Sequence, residues 1–373
     1  MKRIKYLALV LTFLLSGCTL TDQPENQAIA IALAVDHADG GEIQISVLLP
    51  SLSGTGQSAD KSSGSPYTVA SATAHSFAEA IGILRASIPL TLNLAQLKTV
   101  YISQHAAQDE GLIDLISDMF LTHRLYNAAF CVISIGSARD MLNALNTNNY
   151  GARLSSVVTT ALENFVAEGG IPDTHFSDFY YDLHSIYGSP IAILGAASDG
   201  IHTTLTPEGR AGDSLPGAMP REGNNKNEYS GTALFRDGQM VGTLSSLETA
   251  WMNYLRGRKL NINYSCEGAN VVLSPVGGAE ITVDTSVEPM QIEIAAAFTV
   301  STHCSLDILR SLIEADISSL VRKCQSLGVD PFLFSQRAAV HFHDIPAWLD
   351  YAYYTKYPSA DVQVQVNVRM ITD

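Results

Sequence analysis

The apolar positions in the first half of the chain predict alternating strands and helices. Residues 28–35 are apolar throughout, residues 42–49 alternate apolar with polar side chains, and the turn sequence Asp39-Gly40-Gly41 lies between them. This combination predicts a β-hairpin. Further along, short apolar runs alternate with segments whose apolar residues share one face of a helix. We expect strands at 68–74, 97–103, 128–135 and 191–196, and helices at 77–84, 111–120, 138–145, 155–168 and 178–186.

The second half opens on the clearest local pattern in the chain. Apolar segments at 231–235 and 239–244 flank Asp237-Gly238, a dipeptide that favours the type I′ turn of a tight hairpin. Ser245 and Glu248 then form a capping box, which predicts the start of a helix. The remaining expected elements are four short strands within 260–302, a long amphipathic helix at 306–327 terminated by Gly328, an aromatic-rich helical stretch, and a final strand at 362–368.

These elements predict an α+β fold, a multi-domain mixed α/β protein built of sheet-and-helix layers. A chain of 373 residues is long enough for two or three domains with separate cores. Residues 199–228 are rich in glycine and proline and poor in apolar side chains, which predicts a connector. We therefore expect an N-terminal α/β region at 28–198, either undivided or split near residue 150, and a C-terminal α/β domain at 229–373.

The N-terminus carries the pattern of a lipoprotein signal peptide. Basic residues are followed by an apolar run that is too short to cross a bilayer and that ends in Leu15-Ser16-Gly17-Cys18. Small residues directly before a cysteine resemble a lipobox, which predicts cleavage between Gly17 and Cys18 and acylation of Cys18 with diacylglycerol and palmitate. Residues 1–17 would then be removed and 18–27 would form a tether to the lipid bilayer. An ordinary signal peptide with an incidental cysteine is the alternative.

The charge of the chain bears on its partners. There are 22 Lys and Arg residues against 37 Asp and Glu residues, a formal charge of -15, and cleavage after Gly17 would remove three basic residues and bring it to -18. Nucleic-acid binding requires clustered basic side chains that displace counterions from phosphates. The sequence has no block of five basic residues. We expect no nucleic-acid partner, and attachment to the membrane through Cys18 rather than through charge.

His341 and His343 are the candidate metal ligands. On a strand, residues two apart share a face and could bind one ion, whereas on a helix they point in nearly opposite directions. The surrounding pattern is helical, and no third ligand follows at a suitable spacing. We therefore expect a histidine pair at a helix end, with no metal and no cofactor.

Asp173, His175 and Asp178 are the candidate catalytic group, a base with an orienting carboxylate. No G-x-S-x-G nucleophile motif accompanies them, so a polar loop that leads into a helix is the favoured interpretation and no catalytic residue is assigned. Gly54 and Gly56 begin like a dinucleotide-binding motif but the third glycine is absent, so this segment is expected to be a loop.

Four cysteines follow Cys18, namely Cys131, Cys266, Cys304 and Cys324. Cys304 and Cys324 flank the long helix, and Cys324 lies on its apolar stripe, so buried free thiols are the favoured interpretation for both. A disulfide is the alternative. Four cysteines can pair in three ways, and the sequence leaves the pairing open.

Many of these segments, in this order, resemble the GerC-type spore germination lipoproteins, the C subunits of nutrient germinant receptors. The resemblance includes the lipobox, the first hairpin, the strand at 97–103 and, most strongly, the hairpin and helix start at 231–249. Two departures stand out: Thr19-Leu20 replaces a common Trp-Asp pair, and Asp330-Pro331-Phe332-Leu333 replaces the sequence D-I-F-G.

The resemblance implies a non-enzymatic, lipid-anchored subunit on the outer face of the spore inner membrane. There it would assemble with integral membrane A and B subunits and act in nutrient-triggered germination. Two other functions are alternatives. A substrate-binding lipoprotein of a membrane transporter would need two lobes around a ligand cleft. A tethered hydrolase would need His175, or His341 with His343, to act on a bound substrate.

Overall fold

The computed structural model describes residues 26–51, 66–123, 125, 128–147, 154–198, 215–221, 223 and 225–371. The fold is α+β, as the sequence predicts. The strands are β1 Gln27–Ile29, β2 Ala32–His37, β3 Ile43–Pro50, β4 Tyr67–Ala74, β5 Thr91–Asn93, β6 Thr99–Ser103, β7 Phe130–Ser134, β8 Ile191–Ala197, β9 Asn227–Arg236, β10 Gln239–Leu244, β11 Ile262–Cys266, β12 Ala269–Pro275, β13 Glu280–Asp284, β14 Gln291–Val300 and β15 Asp361–Met370. The helices are α1 Phe77–Ser87, α2 Gln104–Ala107, α3 Leu112–Ser117 with a π-helical continuation at Asp118–Thr122, α4 Ala138–Thr147, α5 Leu154–Glu168, α6 Phe176–Leu183, α7 Ser246–Leu255, α8 Leu306–Leu327, α9 Phe334–Ala339, α10 Ile345–Tyr351 and α11 Tyr353–Lys356.

An eight-stranded sheet forms the centre of the N-terminal half, in the order β10-β9-β8-β7-β6-β2-β3-β4. Its four middle strands, β8, β7, β6 and β2, are parallel, and an antiparallel pair extends it at each end. The predicted first hairpin is β2–β3. β6 and β7 are buried along their whole length, and β2 and β8 are buried at every residue but the last, which explains why the middle strands appear as largely apolar runs.

Helices cover both faces of this sheet. One apolar core includes side chains of α1, α3 and α6, among them Phe77, Leu112 and Phe176. The other core includes side chains of α4 and α5, among them Met141 and Leu162. Ser76 caps α1, because its hydroxyl accepts the N–H of Glu79.

The C-terminal half packs α7 and α8 around a second sheet of five strands. β14 is central to this sheet and pairs in parallel with β15 over ten residues. A third core, which includes Trp251, Phe298 and Ile317, fills the space between sheet and helices. The predicted helix ends are confirmed: Ser245 and Glu248 form the capping box of α7, and Gly328 terminates α8 with φ 67°.

The large sheet continues past the predicted connector. β9 and β10 pair through a turn whose Asp237 and Gly238 have φ values of 51° and 82°, as a type I′ turn requires. β9 also pairs with β8, so the first hairpin of the C-terminal half completes the sheet of the N-terminal half. Residues 199–214 lie outside the described ranges, and the proposed domain boundaries stay a prediction.

Candidate functional site

Two of the sequence predictions fall on residues outside the described ranges. Gly17 and Cys18 precede residue 26, and Gly54 and Gly56 lie between residues 51 and 66. The lipid anchor and the glycine-containing loop therefore stay predictions. In the described part of the chain, no helix combines the length and the apolar character that a membrane crossing requires.

Asp173, His175 and Asp178 do lie together, at the start of α6. The Nδ1 atom of His175 lies 3.5 Å from the carboxylate of Asp178 and 3.9 Å from that of Asp173. The backbone N–H of His175 donates a hydrogen bond of 3.2 Å to Asp178, and the imidazole stacks on Phe130 at 4.6 Å. This geometry is that of a capped helix start, whose histidine packs on an aromatic ring between two carboxylates.

His341 and His343 lie in the turn that follows the end of α9 and leads into α10, which agrees with the expected histidine pair at a helix end, although neither residue is itself helical. His343 is exposed, and its Nε2 lies 3.7 Å from the carboxylate of Asp344. Asp344 in turn caps α10 by accepting the N–H of Ala347 at 2.8 Å. Among the described residues, the clustered metal-ligating side chains are Cys266, Glu267 and Cys304, a group that includes neither histidine.

Cys266 and Cys304 form a disulfide bond that joins the end of β11 to the segment before α8. The expectation of a free thiol at Cys304 is therefore wrong. Cys324, like Cys131, is free and buried. Burial raises the pKa of both thiols above the usual range, so both remain protonated at neutral pH.

We expect the disulfide to stabilise the protein by about 2–4 kcal/mol, because it closes a loop in the unfolded chain between cysteines 38 positions apart. The measurement is urea unfolding of the wild type and of the Cys266→Ser/Cys304→Ser variant. Reductant should lower the stability of the wild type to that of the variant and should leave the variant unchanged. An equal effect of reductant on both proteins would contradict this origin of the stability.

A buried polar cluster lies where the two halves of the chain meet, and we call it the Asp330 cluster. Asp330 follows the end of α8 and is fully buried. Its carboxylate accepts hydrogen bonds from the backbone N–H groups of Phe332 and Phe334 at 3.2 Å and of Ser335 at 2.7 Å. The hydroxyl of Tyr353 donates to the same carboxylate at 3.3 Å. One side chain therefore fixes the loop that leads from α8 into α9.

The Asp330 cluster also connects this loop to the N-terminal half. The backbone N–H of Asp330 donates to the hydroxyl of Ser189 at 2.8 Å, and the N–H of Ser189 donates to the carbonyl oxygen of Asp330 at 3.2 Å. Two arginines bind carbonyl oxygens of the same loop: Arg256 donates to Pro331 at 2.7 Å, and Arg337 donates to Phe332 at 3.1 Å. The junction is thus formed by three separated segments of the chain.

Burial is the largest influence on the pKa values of Asp330, Arg256 and Asp182 at the junction. It raises the pKa of Asp330, although the N–H groups of Ser335, Phe334 and Phe332 act in the opposite direction. It lowers the pKa of Arg256, and the nearby carboxylates of Asp182 and Asp330 oppose that shift. Burial also raises the pKa of Asp182, near the end of α6, from 3.8 to about 6. The ionised form of Asp182 is therefore disfavoured in the folded protein.

We expect Asp182→Asn to stabilise the protein at pH 7.5 by about 1–2 kcal/mol, a value discounted for the partial exposure of the side chain. Because the folded-state pKa of Asp182 lies above its unfolded value, the folded protein binds the extra proton between about pH 4 and 6. The wild type should therefore lose stability as the pH rises through this window, and the variant should lose less. Urea unfolding at pH 4 and 7.5 measures the difference. A variant that is equally destabilised at both pH values would contradict the prediction.

Exposed apolar side chains lie close to the junction, and we call Ile345 and Leu349, both on α10, the α10 patch. They are 55% and 56% exposed. Ile345 and Leu349 are one helical turn apart and share a face of α10. On another side of α10, Trp348 is buried and its Nε1 donates to the carbonyl oxygen of Ile186 at 3.4 Å. The patch is thus held against the N-terminal half through Trp348, while its own side chains face outwards.

Sequence reasoning missed the Asp330 cluster because its members are distant in the chain. Asp330-Pro331 follows the glycine that ends α8, and an aspartate two residues after a helix end is a weak signal for a side chain that binds the next backbone N–H groups. The pattern Asp344-x-Pro346 could have located the start of α10 and hence the turn that holds His341 and His343.

Two family models match the chain in consecutive order. The model for the spore germination protein N-terminal domain matches residues 22–195, and the model described as spore germination B3/GerAC like, C-terminal, matches residues 230–372. No curated protein matches the chain in sequence. The solved structure titled "Crystal Structure of the GerBC protein" has a similar fold, with a TM-score of 0.52 and 12% sequence identity over 91% of this chain and 97% of that chain. Because the two models together span most of its residues, the chain belongs to the family of GerAC-like, or GerC-type, spore germination proteins.

Proposed function

We propose that this protein is the lipid-anchored C subunit of a nutrient germinant receptor, and that it acts by assembling with integral membrane A and B subunits. The observation that carries the proposal is the match of both family models, in order, to the two halves of the chain. The role is structural and non-enzymatic. The protein would lie on the outer face of the spore inner membrane, attached to the bilayer through Cys18.

The α10 patch is the surface that we propose for contact with a membrane subunit. Large exposed apolar side chains that cluster on one helix are a feature of protein interfaces. The patch lies on a helix that the buried Trp348 holds in place, so its orientation is defined before a partner binds. A preorganised surface loses little entropy on association.

Deletion of the gene in a strain without related copies, scored as germination in response to nutrients, tests the function. We expect germination to be lost, restored by the wild type, and restored poorly by Cys18→Ala because the protein is no longer anchored. Unchanged germination after deletion would contradict the proposal.

A matched pair of variants tests the α10 patch. Leu349→Glu should weaken co-purification with the membrane subunits and impair germination, since it places a charge in the proposed interface. Ile308→Glu introduces the same side chain at another exposed apolar position, on α8, and should leave both measurements unchanged. Equal behaviour of the two variants would exclude the patch as the contact surface.

A further inference from the structure

A cleft of about 430 Å³ opens at the carboxyl end of β2, and we call it the β2-end cleft. His37, the last residue of β2, lines it, and the ring of His37 lies 4.3 Å from that of His105, which follows the parallel neighbour β6. The carboxyl ends of parallel strands are where α/β sheets bind their ligands. The volume is within the range of pockets that hold small molecules. Neither the position nor the size of this cleft is required by the proposed assembly role.

The inner surface of the β2-end cleft is apolar. Phe77 and Leu112 line it and are each 1% exposed, and the half-buried Ile43 and Leu115 extend the same surface. Phe77 is fixed at the start of α1, where its ring contacts His123 edge to face at 4.9 Å. A ligand with an apolar portion could therefore bury that portion against side chains that are already in place.

The rim of the β2-end cleft is acidic. Glu42, Asp109, Asp114 and Asp118 line it, whereas no lysine or arginine does among the residues that the structure describes. Asp109 and Glu42 face histidines, with Asp109 3.7 Å from His37 and Glu42 3.6 Å from His75. Asp114 and Asp118 are one helical turn apart and, within the described ranges, neither has a basic side chain in ion-pair contact. This charge distribution disfavours anions and favours a cation.

The arrangement of the acidic groups discriminates between a metal ion and an organic cation. A calcium or magnesium site brings several oxygen ligands to one point. In the part of the chain that the structure describes, no three histidine, cysteine or carboxylate side chains of this cleft bring their ligand atoms within 4.8 Å of one another. The carboxylates instead lie around the apolar inner surface of the cleft, which suits a ligand that has its charge at one end and an apolar body at the other.

We propose that the β2-end cleft binds a small organic cation that carries a short apolar chain, such as a primary alkylamine. The ammonium group would lie between Asp114 and Asp118, and the alkyl chain would lie on Ile43 and Leu115, the lining apolar side chains that are only half-buried. This proposal is independent of the assembly role, because it concerns a property of the isolated chain.

Ligand-observed NMR on the full chain in lipid nanodiscs tests the proposal, with empty nanodiscs as the blank. The probes are n-butylamine, butan-1-ol and butanoate, which share the alkyl chain and differ in charge. We expect butylamine to bind about tenfold or more tightly than the alcohol, because a charge-assisted contact is gained, and butanoate not to bind. The absence of butylamine binding, or equal binding of the alcohol, would overturn the proposal.

Two double variants assign the binding to this cleft. Asp114→Asn/Asp118→Asn should weaken butylamine binding by about tenfold or more. Glu163→Gln/Asp350→Asn removes the same formal charge at exposed positions on α5 and α10 and should change the affinity by less than about twofold, since distant surface charges are screened. An equal loss in both double variants would show a diffuse charge effect and would refute the site.

Discussion

Replacement of Asp330 by alanine is expected to lower the free energy of unfolding by about 3–5 kcal/mol. The carboxylate accepts three backbone N–H groups and the Tyr353 hydroxyl inside a fully buried cluster. Alanine leaves these donors without an acceptor, and each buried unpaired donor costs more than a hydrogen bond contributes. It also removes a negative charge that interacts with the guanidinium groups of Arg256 and Arg337.

Burial disfavours the ionised form of Asp330, so the alanine variant also removes a group whose burial as a charge lowers the stability of the folded protein. The loss of four hydrogen bonds should outweigh it, because the three backbone donors are fixed in the loop before α9 and in its first turn and cannot turn towards water, and the buried Tyr353 hydroxyl also loses its acceptor. Asp330→Asn separates the two contributions. The amide oxygen can still accept hydrogen bonds while the charge is gone, so this variant should cost less than alanine.

Urea unfolding of both variants measures the effect, and Asp350→Ala serves as the control because Asp350 is an exposed aspartate on α10. The control should change stability by less than about 0.5 kcal/mol. Hydrogen exchange provides a second measurement: the N–H of Ser189, which donates to the carbonyl oxygen of Asp330, should exchange faster in the alanine variant. A loss of stability below about 1 kcal/mol would mean that water replaces the carboxylate.

The elements that sequence reasoning located correctly are those with local signals. The β2–β3 hairpin, the capping box at Ser245 and the end of α8 at Gly328 depend on residues within one or two turns of each other. Amphipathic periodicity and capping act within one element, so they are visible without knowledge of the tertiary structure.

The features that sequence reasoning could not locate depend on contacts between distant segments. The pairing of β9 with β8 joins residues 30 to 43 positions apart, and the Cys266–Cys304 disulfide depends on β11 lying beside the start of α8. Leu333 illustrates the same limit. It adopts φ 63°, in the left-handed region, and it stands at the position that glycine occupies in the D-I-F-G sequence of the GerC-type family. The replacement of glycine by leucine was visible in the sequence, but the left-handed backbone conformation, which makes that replacement unfavourable, was not.

Gly231 is the position where a single added methyl group should have the largest steric effect. In β9, Ser230 and Gly231 together oppose Leu194 of β8, which forms a β-bulge. Gly231 has φ +87°, and its N–H donates to the carbonyl oxygen of Gly170 at 2.8 Å. A Cβ atom built there would lie 2.2 Å from the carbonyl oxygen of Leu244, a backbone atom of β10. β9, β10 and the segment around Gly170 would therefore have to move apart.

We expect Gly231→Ala to lower the free energy of unfolding by about 3–5 kcal/mol, the sum of an unfavourable positive φ and a clash with backbone that cannot rotate away. Gly268→Ala is the matched control, because Gly268 has φ +81° but no atom within 4 Å of the position of a Cβ. The control should cost about 1–2 kcal/mol from the backbone conformation alone. The difference between the two variants in urea unfolding measures the clash at the bulge. Equal losses would mean that β10 can shift away from β9 without cost, which would contradict a rigid connection between the large sheet and the start of α7.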